Sequence, residues 1–181
     1  MAHHHPPMDL LVEYATGALP VAQSACVAAH LSYCQRCRQL VGRLEDVGGA
    51  HLERLDPQPV GESVLESVMA RLDDPEPLRY APNEASDTQL PGLLDRLING
   101  NYADLVWKRV TQSLSISYLK TGDPSHEFAL YRIAEGGRIP EHTHGGSEMT
   151  LVLRGGFADE SGEYHPGDFL VREGWDKHTP V

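Results

Sequence analysis

The hydrophobic pattern of this chain changes period at an acidic, proline-rich stretch, and that change limits the folds open to it. Residues 73–86 hold three prolines and four acidic residues, which is the makeup of an exposed linker. Before this stretch the apolar residues recur at helical spacing, and after it they alternate as in strands. The sequence therefore predicts a helical domain in residues 1–85 and an all-β domain in residues 86–181. We expect such a linker to transmit little rigid coupling between them.

The first domain shows three helical stretches. Leu10 and Tyr14 lie one turn apart ahead of a stop at Gly17, and a second run extends from about residue 20 to residue 47, where a Gly-Gly pair favours an end or a kink. A third, isolated stretch, Glu62 to Leu72, has its apolar residues on one face. This amphipathic helix either packs back on its own domain or docks into the groove of a partner.

Beyond the linker, residues 90–98 predict one more short helix, and strand patterns follow. Residues 114–118 alternate strictly between apolar and polar, as do residues 149–153, and glycine pairs separate the segments. Short strands at this spacing favour a sandwich or a barrel.

Composition and charge exclude several classes of protein. The hydrophobic share of 40% and the charged share of 23% are those of an ordinary globular protein. No apolar run approaches a membrane span, and the start lacks the apolar core of a secretory signal, so we expect a cytoplasmic protein without membrane contact. The net charge of -11 disfavours direct nucleic-acid binding and favours docking against a basic protein.

A first cluster of metal-binding residue types lies in the second helical run. His30, Cys34 and Cys37 occur at i, i+4 and i+7, a spacing that puts them on one face of a helix. Zinc prefers sulfur and nitrogen ligands, and a structural zinc site needs a fourth ligand. His5 on the N-terminal arm is the natural candidate. A redox-active cysteine pair would instead follow a strand in a βαβ unit, which the pattern lacks.

Other histidines and the third cysteine have simpler interpretations. Three cysteines are too few for a disulfide framework, and Cys26 is expected to be a buried core residue. Sequence alone leaves open whether His3, His4 and His5 derive from an affinity tag. Three further histidines are expected to have no metal role: His51, His126 and His165.

A second cluster lies in the predicted β domain. His142 and His144 are separated by one residue and point to the same side of a strand, and Glu148 follows after a glycine turn. His178 comes ten residues after Asp168, which closes a Pro-Gly-Asp sequence. Three histidines and one carboxylate are typical of a site for zinc or another divalent metal.

The two clusters together carry a family resemblance. The His-x3-Cys-x2-Cys pattern with an upstream His resembles the zinc-binding anti-sigma domain, and His-x-His-x3-Glu with Pro-Gly-Asp and a later His resembles a cupin. In this order they resemble the ChrR family of anti-sigma factors over nearly the whole chain. The resemblance includes residues 10–17, which place His5 where the family has its first zinc ligand, and the tryptophan segment 106–109.

The resemblance implies a small helical zinc-binding anti-sigma domain followed by a cupin β-barrel. It implies two metal sites, one in each domain. The ligands of the first, a zinc site, would be His5, His30, Cys34 and Cys37. The ligands of the second, for zinc or another divalent metal, would be His142, His144, Glu148 and His178.

The resemblance also implies a function. The helical domain would bind and inhibit an extracytoplasmic-function sigma factor, with the helix Glu62 to Leu72 as part of the clamp. The cupin would be a sensor, with room for a small-molecule ligand, that releases the sigma factor in response to singlet oxygen or related oxidants. The alternative is a metal-dependent cupin enzyme, such as a dioxygenase, with a helical accessory domain, because the same cupin ligands can bind iron. The closed first site favours the regulator.

Overall fold

The helices and strands follow each other in the predicted order. The computed structural model describes residues 2–61, 63–72, 90–98, 102–139, 142, 145–176 and 179. Within these ranges five α-helices come first, and seven short strands follow after a 3-10 turn at Tyr102–Asp104. A helical region followed by an all-β region is therefore confirmed. The boundary between residues 85 and 86 falls outside the described ranges and stays a prediction.

The five helices differ in length and in how they begin. They are α1 (Met8–Ala15), α2 (Val21–Tyr33), α3 (Gln35–Leu52), α4 (Ser63–Ala70) and α5 (Gly92–Leu97). Pro7 and Pro20 precede α1 and α2 in extended conformations, positions at which the missing amide of proline costs no helical hydrogen bond. Gly17 takes a φ of 71° just after α1, as a helix stop requires. No helix in the described ranges is long and apolar enough to cross a membrane.

The second helical run is two helices instead of the single one predicted. Cys34 has φ -113° and ψ 102° and separates α2 from α3. Its Sγ accepts a hydrogen bond from the backbone N–H of Cys37 at 3.4 Å and so caps α3. Of the end or kink predicted at Gly48-Gly49, the end was wrong, because α3 continues to Leu52. Glycine costs only about 1 kcal/mol in a helix interior, a cost that neighbouring turns can offset.

The strands pair in three small antiparallel sheets within the described residues. In the first, β1 (Lys108–Arg109), β2 (Leu114–Tyr118) and β3 (Ala129–Ile133) lie in that order. In the others, β4 (Glu148–Leu151) pairs with β7 (Phe169–Arg172), and β5 (Phe157–Asp159) pairs with β6 (Gly162–Tyr164). The strand predicted at 114–118 is β2, and Leu114 and Ile116 are buried as its alternation implies, but Ser117 is buried too and Tyr118 is 53% exposed. The described strands do not trace the closed barrel that the resemblance implied.

The helical and β regions share one core, which the linker composition did not predict. Phe169 at the start of β7 is buried in the same cluster as Leu11 and Val27 of the helices. Met149 and Leu151 of β4 pack against this cluster too. Burial of apolar side chains joins the two regions directly, whereas the linker at 73–86, which was expected to transmit little rigid coupling, lies outside the described residues.

Helix α4 stands apart from that core. All of its residues are exposed, and its apolar side chains include Leu65 at 69%, Val68 at 54% and Met69 at 57% exposure. The interpretation that this helix packs back on its own domain is therefore not supported. Glu62, the first residue of the predicted helix, lies outside the described residues.

Candidate metal centre

His30 is the most deeply enclosed member of the first predicted cluster. It lies near the end of α2 and is 0% exposed. Its Nδ1 lies 2.7 Å from the carbonyl oxygen of Gly167. Because a carbonyl only accepts, Nδ1 must carry the proton, which leaves the lone pair on Nε2. That Nε2 is a buried atom without a hydrogen-bond partner among the described residues.

The break at Cys34 brings the two cysteines together. Cys34 ends α2, Cys37 lies in the first turn of α3, and both side chains are buried, at 4% and 3% exposure. Burial, and secondarily the hydrogen bond to Cys34, raises the pKa of the Cys37 thiol to about 12. A bound metal cation would instead lower the pKa of this thiol, since a thiol that coordinates a metal is deprotonated.

His5 closes the cluster from the N-terminal arm. Its Nδ1 lies 3.4 Å from the Sγ of Cys34 and 3.5 Å from the Sγ of Cys37. Burial, followed by the charge of Arg36, lowers the pKa of this imidazole. Burial also lowers the pKa of His30. Both rings are therefore favoured in the neutral form that binds metals.

The four side chains converge on one point. One ligand atom from each of His5, His30, Cys34 and Cys37 lies within 4.8 Å of all the others. The predicted membership of this site agrees with the structure, but the geometry behind it differs. The sulfurs meet the imidazoles at a helix break, not along one helical face. The orphaned Nε2 of His30 is what a buried metal ligand would present.

Two residues from the β region support this cluster, and the sequence reasoning missed them. One is Gly167, through the bond to His30, and the other is Asp168. The Oδ1 of Asp168 accepts the backbone N–H groups of His3 at 2.6 Å and His4 at 3.0 Å, and its Oδ2 accepts that of His165 at 2.8 Å. Burial acts to raise the pKa of Asp168, but these three donors outweigh it and lower the pKa. The Pro-Gly-Asp sequence was the available signal, although nothing in it indicates a partner more than 160 residues away.

The second predicted cluster is only partly covered by the structure. His142 is half-buried, and so is Glu148, the first residue of β4. His144 and His178 lie outside the described residues. The cupin ligand set therefore stays a prediction.

The residues that were expected to be structural behave in simple ways. Cys26 is a buried free thiol, and burial raises its pKa to about 12. His51 and His165 are exposed. His126 bonds to Asp123 at 2.9 Å, and its Nε2 lies 3.5 Å from the Nε2 of Gln23 on α2. None of these groups belongs to the cluster of four described above.

Known proteins resemble this chain over nearly its full length. Residues 96–181 match a family described as the ChrR Cupin-like domain. The chain is 37% identical over 178 residues to the anti-sigma-E factor ChrR of Cereibacter sphaeroides, a match that covers 98% of this chain and 83% of the relative. The chain belongs to the ChrR family. Its fold is similar to a chain in the crystal structure of Rhodobacter sphaeroides SigE in complex with the anti-sigma ChrR, with a TM-score of 0.85, 35% identity and coverage of 100% of this chain and 92% of that one.

Membership of the ChrR family confirms the predicted resemblance and the predicted class of protein. That class is an anti-sigma factor, a regulator of transcription and not an enzyme. It also confirms that the β region is a cupin of the ChrR type.

Proposed function

We propose that this chain binds and inhibits an extracytoplasmic-function sigma factor in the cytoplasm, through a helical region that holds zinc. The observation that carries the proposal is the likeness, over the whole chain, to ChrR as it occurs in a complex with SigE. A dioxygenase has no comparable support. The net charge of -11 favours a protein partner with a basic surface over direct contact with nucleic acid.

Zinc fits the four side chains of the helical region. Tetrahedral zinc with Zn–S of about 2.3 Å and Zn–N of about 2.0 Å would separate nitrogen and sulfur ligands by roughly 3.5 Å. The distances from His5 Nδ1 to the two cysteine sulfurs are 3.4 and 3.5 Å. Four protein ligands leave no open position, so the site suits structure and not catalysis. Bound zinc would supply a cross-link between the arm, α2 and α3, because zinc binding and folding are coupled in small domains.

The apolar side of α4 is the surface that we assign to the sigma factor. Its side chains at positions i, i+1, i+4 and i+5 form one exposed stripe: Val64, Leu65, Val68 and Met69. A folded chain that keeps such a helix uncovered has a surface suited to a groove on a partner. The short stretch between α3 and α4 has Pro57 and Pro59, which keep the two helices from fusing.

The cupin would be the sensory part. Its metal, zinc or another divalent ion, would be held by the predicted ligands His142, His144, Glu148 and His178. A three-histidine, one-carboxylate site can retain an open position for a small ligand or an oxidant. We propose that singlet oxygen or a related oxidant acts here and releases the sigma factor.

The test is transcription by purified RNA polymerase with a candidate extracytoplasmic-function sigma factor. The wild-type chain should inhibit transcription and co-elute with the sigma factor. Val68→Asp places a charge in the apolar stripe, so we expect affinity to fall by about 100-fold, consistent with loss of an interface anchor. Ser67→Asp, on the polar side of the same helix, is the matched control and should inhibit normally.

One result would contradict the anti-sigma function, and another would contradict only the role of α4. One is a folded, metal-loaded wild-type chain that leaves transcription unchanged. The other is equal inhibition by Val68→Asp and Ser67→Asp, which would leave the anti-sigma function intact but remove α4 from the interface.

A further inference from the structure

A turn of the cupin contacts both the arm and the helix that carry the histidine ligands. This supporting turn comprises residues 165–169. Its Gly167 carbonyl accepts the Nδ1–H of His30 at 2.7 Å. Its next residue, Asp168, accepts the N–H groups of His3 and His4, and the N–H of Phe169 donates to the carbonyl of His4 at 3.1 Å.

The acceptor Asp168 lies inside the protein, whereas the donors His3 and His4 on the arm are exposed. Asp168 and His30 are both 0% exposed, and Phe169 is 2% exposed. The supporting turn is also fixed internally, since Asp168 Oδ2 accepts the N–H of His165 at 2.8 Å. Hydrogen bonds to a buried carboxylate are stronger than neutral ones and costly to lose. The arm is therefore held at the two residues immediately before His5.

The supporting turn fits closely against the end of α2. Gly167 has a φ of +95°, and a Cβ at this position would come within 2.8 Å of the Cβ of Tyr33. Tyr33 is the last residue of α2 and directly precedes Cys34. Its hydroxyl donates to the carbonyl of Leu153 in the cupin at 3.3 Å. The cupin backbone thus contacts α2 next to a cysteine ligand as well as at His30.

We propose that the supporting turn is a positioning element of the metal centre: it orients His30, tethers the arm that carries His5, and so makes metal retention depend on the cupin. Some groups hydrogen-bond to a metal-binding histidine through the ring nitrogen that does not bind the metal. Removing such a group typically lowers metal affinity by about 10- to 100-fold. This inference rests on the metal site proposed above and not on sigma-factor binding. It gives the cupin a physical path to the clamp that does not pass through the linker.

The experiment measures zinc release from the full-length, zinc-loaded chain to an excess of a chromogenic chelator. Asp168→Asn keeps the shape of the side chain but weakens the bonds to the arm, and we expect release to be about tenfold faster or more. The matched control is Asp159→Asn. Asp159 is also a buried carboxylate of the cupin, with 1% side-chain exposure, but it pairs with Arg172 and Tyr164 and not with the arm.

A second pair of variants leaves the cupin sequence untouched. His3→Pro removes one backbone donor to Asp168, since proline has no N–H, whereas His3→Ala keeps that donor. We expect His3→Pro to speed zinc release by several-fold and His3→Ala to match the wild type. Hydrogen exchange at residues 165–169 reports whether the supporting turn stays in place, and it should increase only in His3→Pro and Asp168→Asn.

The outcomes separate the hypotheses. Wild-type release from Asp168→Asn and His3→Pro would overturn the role of the supporting turn while leaving the zinc site in place. Release from either control as fast as from its partner variant would overturn it too. A wild-type chain that holds no zinc after purification in the presence of zinc would overturn both the site and this inference. Loss of sigma-factor binding alone, with the release rates as expected, would leave it standing.

Discussion

The three helical members of the first cluster are buried, whereas the two described members of the predicted cupin site are half-buried. His30, Cys34 and Cys37 are at most 4% exposed, and four protein ligands complete their site. His142 and Glu148 in the cupin are only half-buried. A closed site suits a structural cross-link, and an accessible one suits the exchange of ligands. On the function that we propose, one chain would use the same residue types for a clamp in one region and for sensing in the other.

The two sites also differ in their surroundings, because residues of the cupin contact the helical region that holds the first cluster. Phe169 of β7 lies in the helical core, and Asp168 holds the arm. The helical region is therefore in direct contact with the β region through both packing and hydrogen bonds. If the cupin is the sensor that we propose, these contacts are the route by which its signal would reach the helical region.

The largest expected effect is from removing both sulfur ligands. Cys34→Ser combined with Cys37→Ser should abolish zinc binding in the helical region and melt α1 to α3, because structural zinc contributes on the order of 10 kcal/mol to such domains. Metal analysis and circular dichroism would measure the loss. Cys26→Ala, a buried cysteine outside the site, should keep its zinc. Full zinc content and helicity in the double variant would show that the closed site is assigned wrongly.

A smaller effect is expected from a cupin residue in the helical core. Phe169→Ala should lower the free energy of unfolding by about 3–5 kcal/mol, the usual cost of emptying a buried aromatic position. Because Phe169 packs with Leu11 and Val27, hydrogen exchange should rise in α1 to α3. Phe157→Ala is the control, since Phe157 packs with a separate cluster around Val152. If both variants raise exchange in the helices equally, the shared core is not what stabilises them.

Sequence could predict the closed site better than what surrounds it. His30, Cys34 and Cys37 lie within eight residues, so local spacing was enough to group them. Spacing gave the wrong local geometry, because capping of α3 by the Cys34 sulfur broke a run that periodicity treated as continuous. The strand alternation at 114–118 likewise predicted β2, since one buried face imposes period two.

The contacts between the two regions could not be predicted. The bond from His4 to Asp168 joins residues 164 positions apart, and no local pattern encodes such a distance. The linker composition pointed the other way, toward independent domains. The composition of a linker indicates whether the linker itself is exposed to solvent. It does not indicate whether the two regions that it joins pack against each other.

The smallest structural effect is expected from a cupin ligand, and it tests how far the two sites are independent. Glu148→Gln keeps the size of the side chain but removes the negative charge that a divalent metal prefers, so we expect the cupin metal to be lost. Glu148 pairs with Arg172 at one end of the β4–β7 ladder, and Phe169 pairs with Leu151 at the other. The backbone bonds of this ladder do not involve the carboxylate, so the supporting turn should stay in place and zinc release from the helical site should change by less than about twofold.

The functional result of Glu148→Gln follows from the intact clamp. Inhibition of the sigma factor should persist, and the response to singlet oxygen should be lost, because the sensor is damaged while the helical site keeps its zinc. A sigma-dependent reporter with and without singlet oxygen, together with metal content per chain, measures both. Glu163→Gln, an exposed acid on β6, should behave as the wild type. Free sigma factor in the unstressed Glu148→Gln strain would mean that the cupin metal itself holds the supporting turn in position, and a normal oxidant response would mean that sensing does not use Glu148.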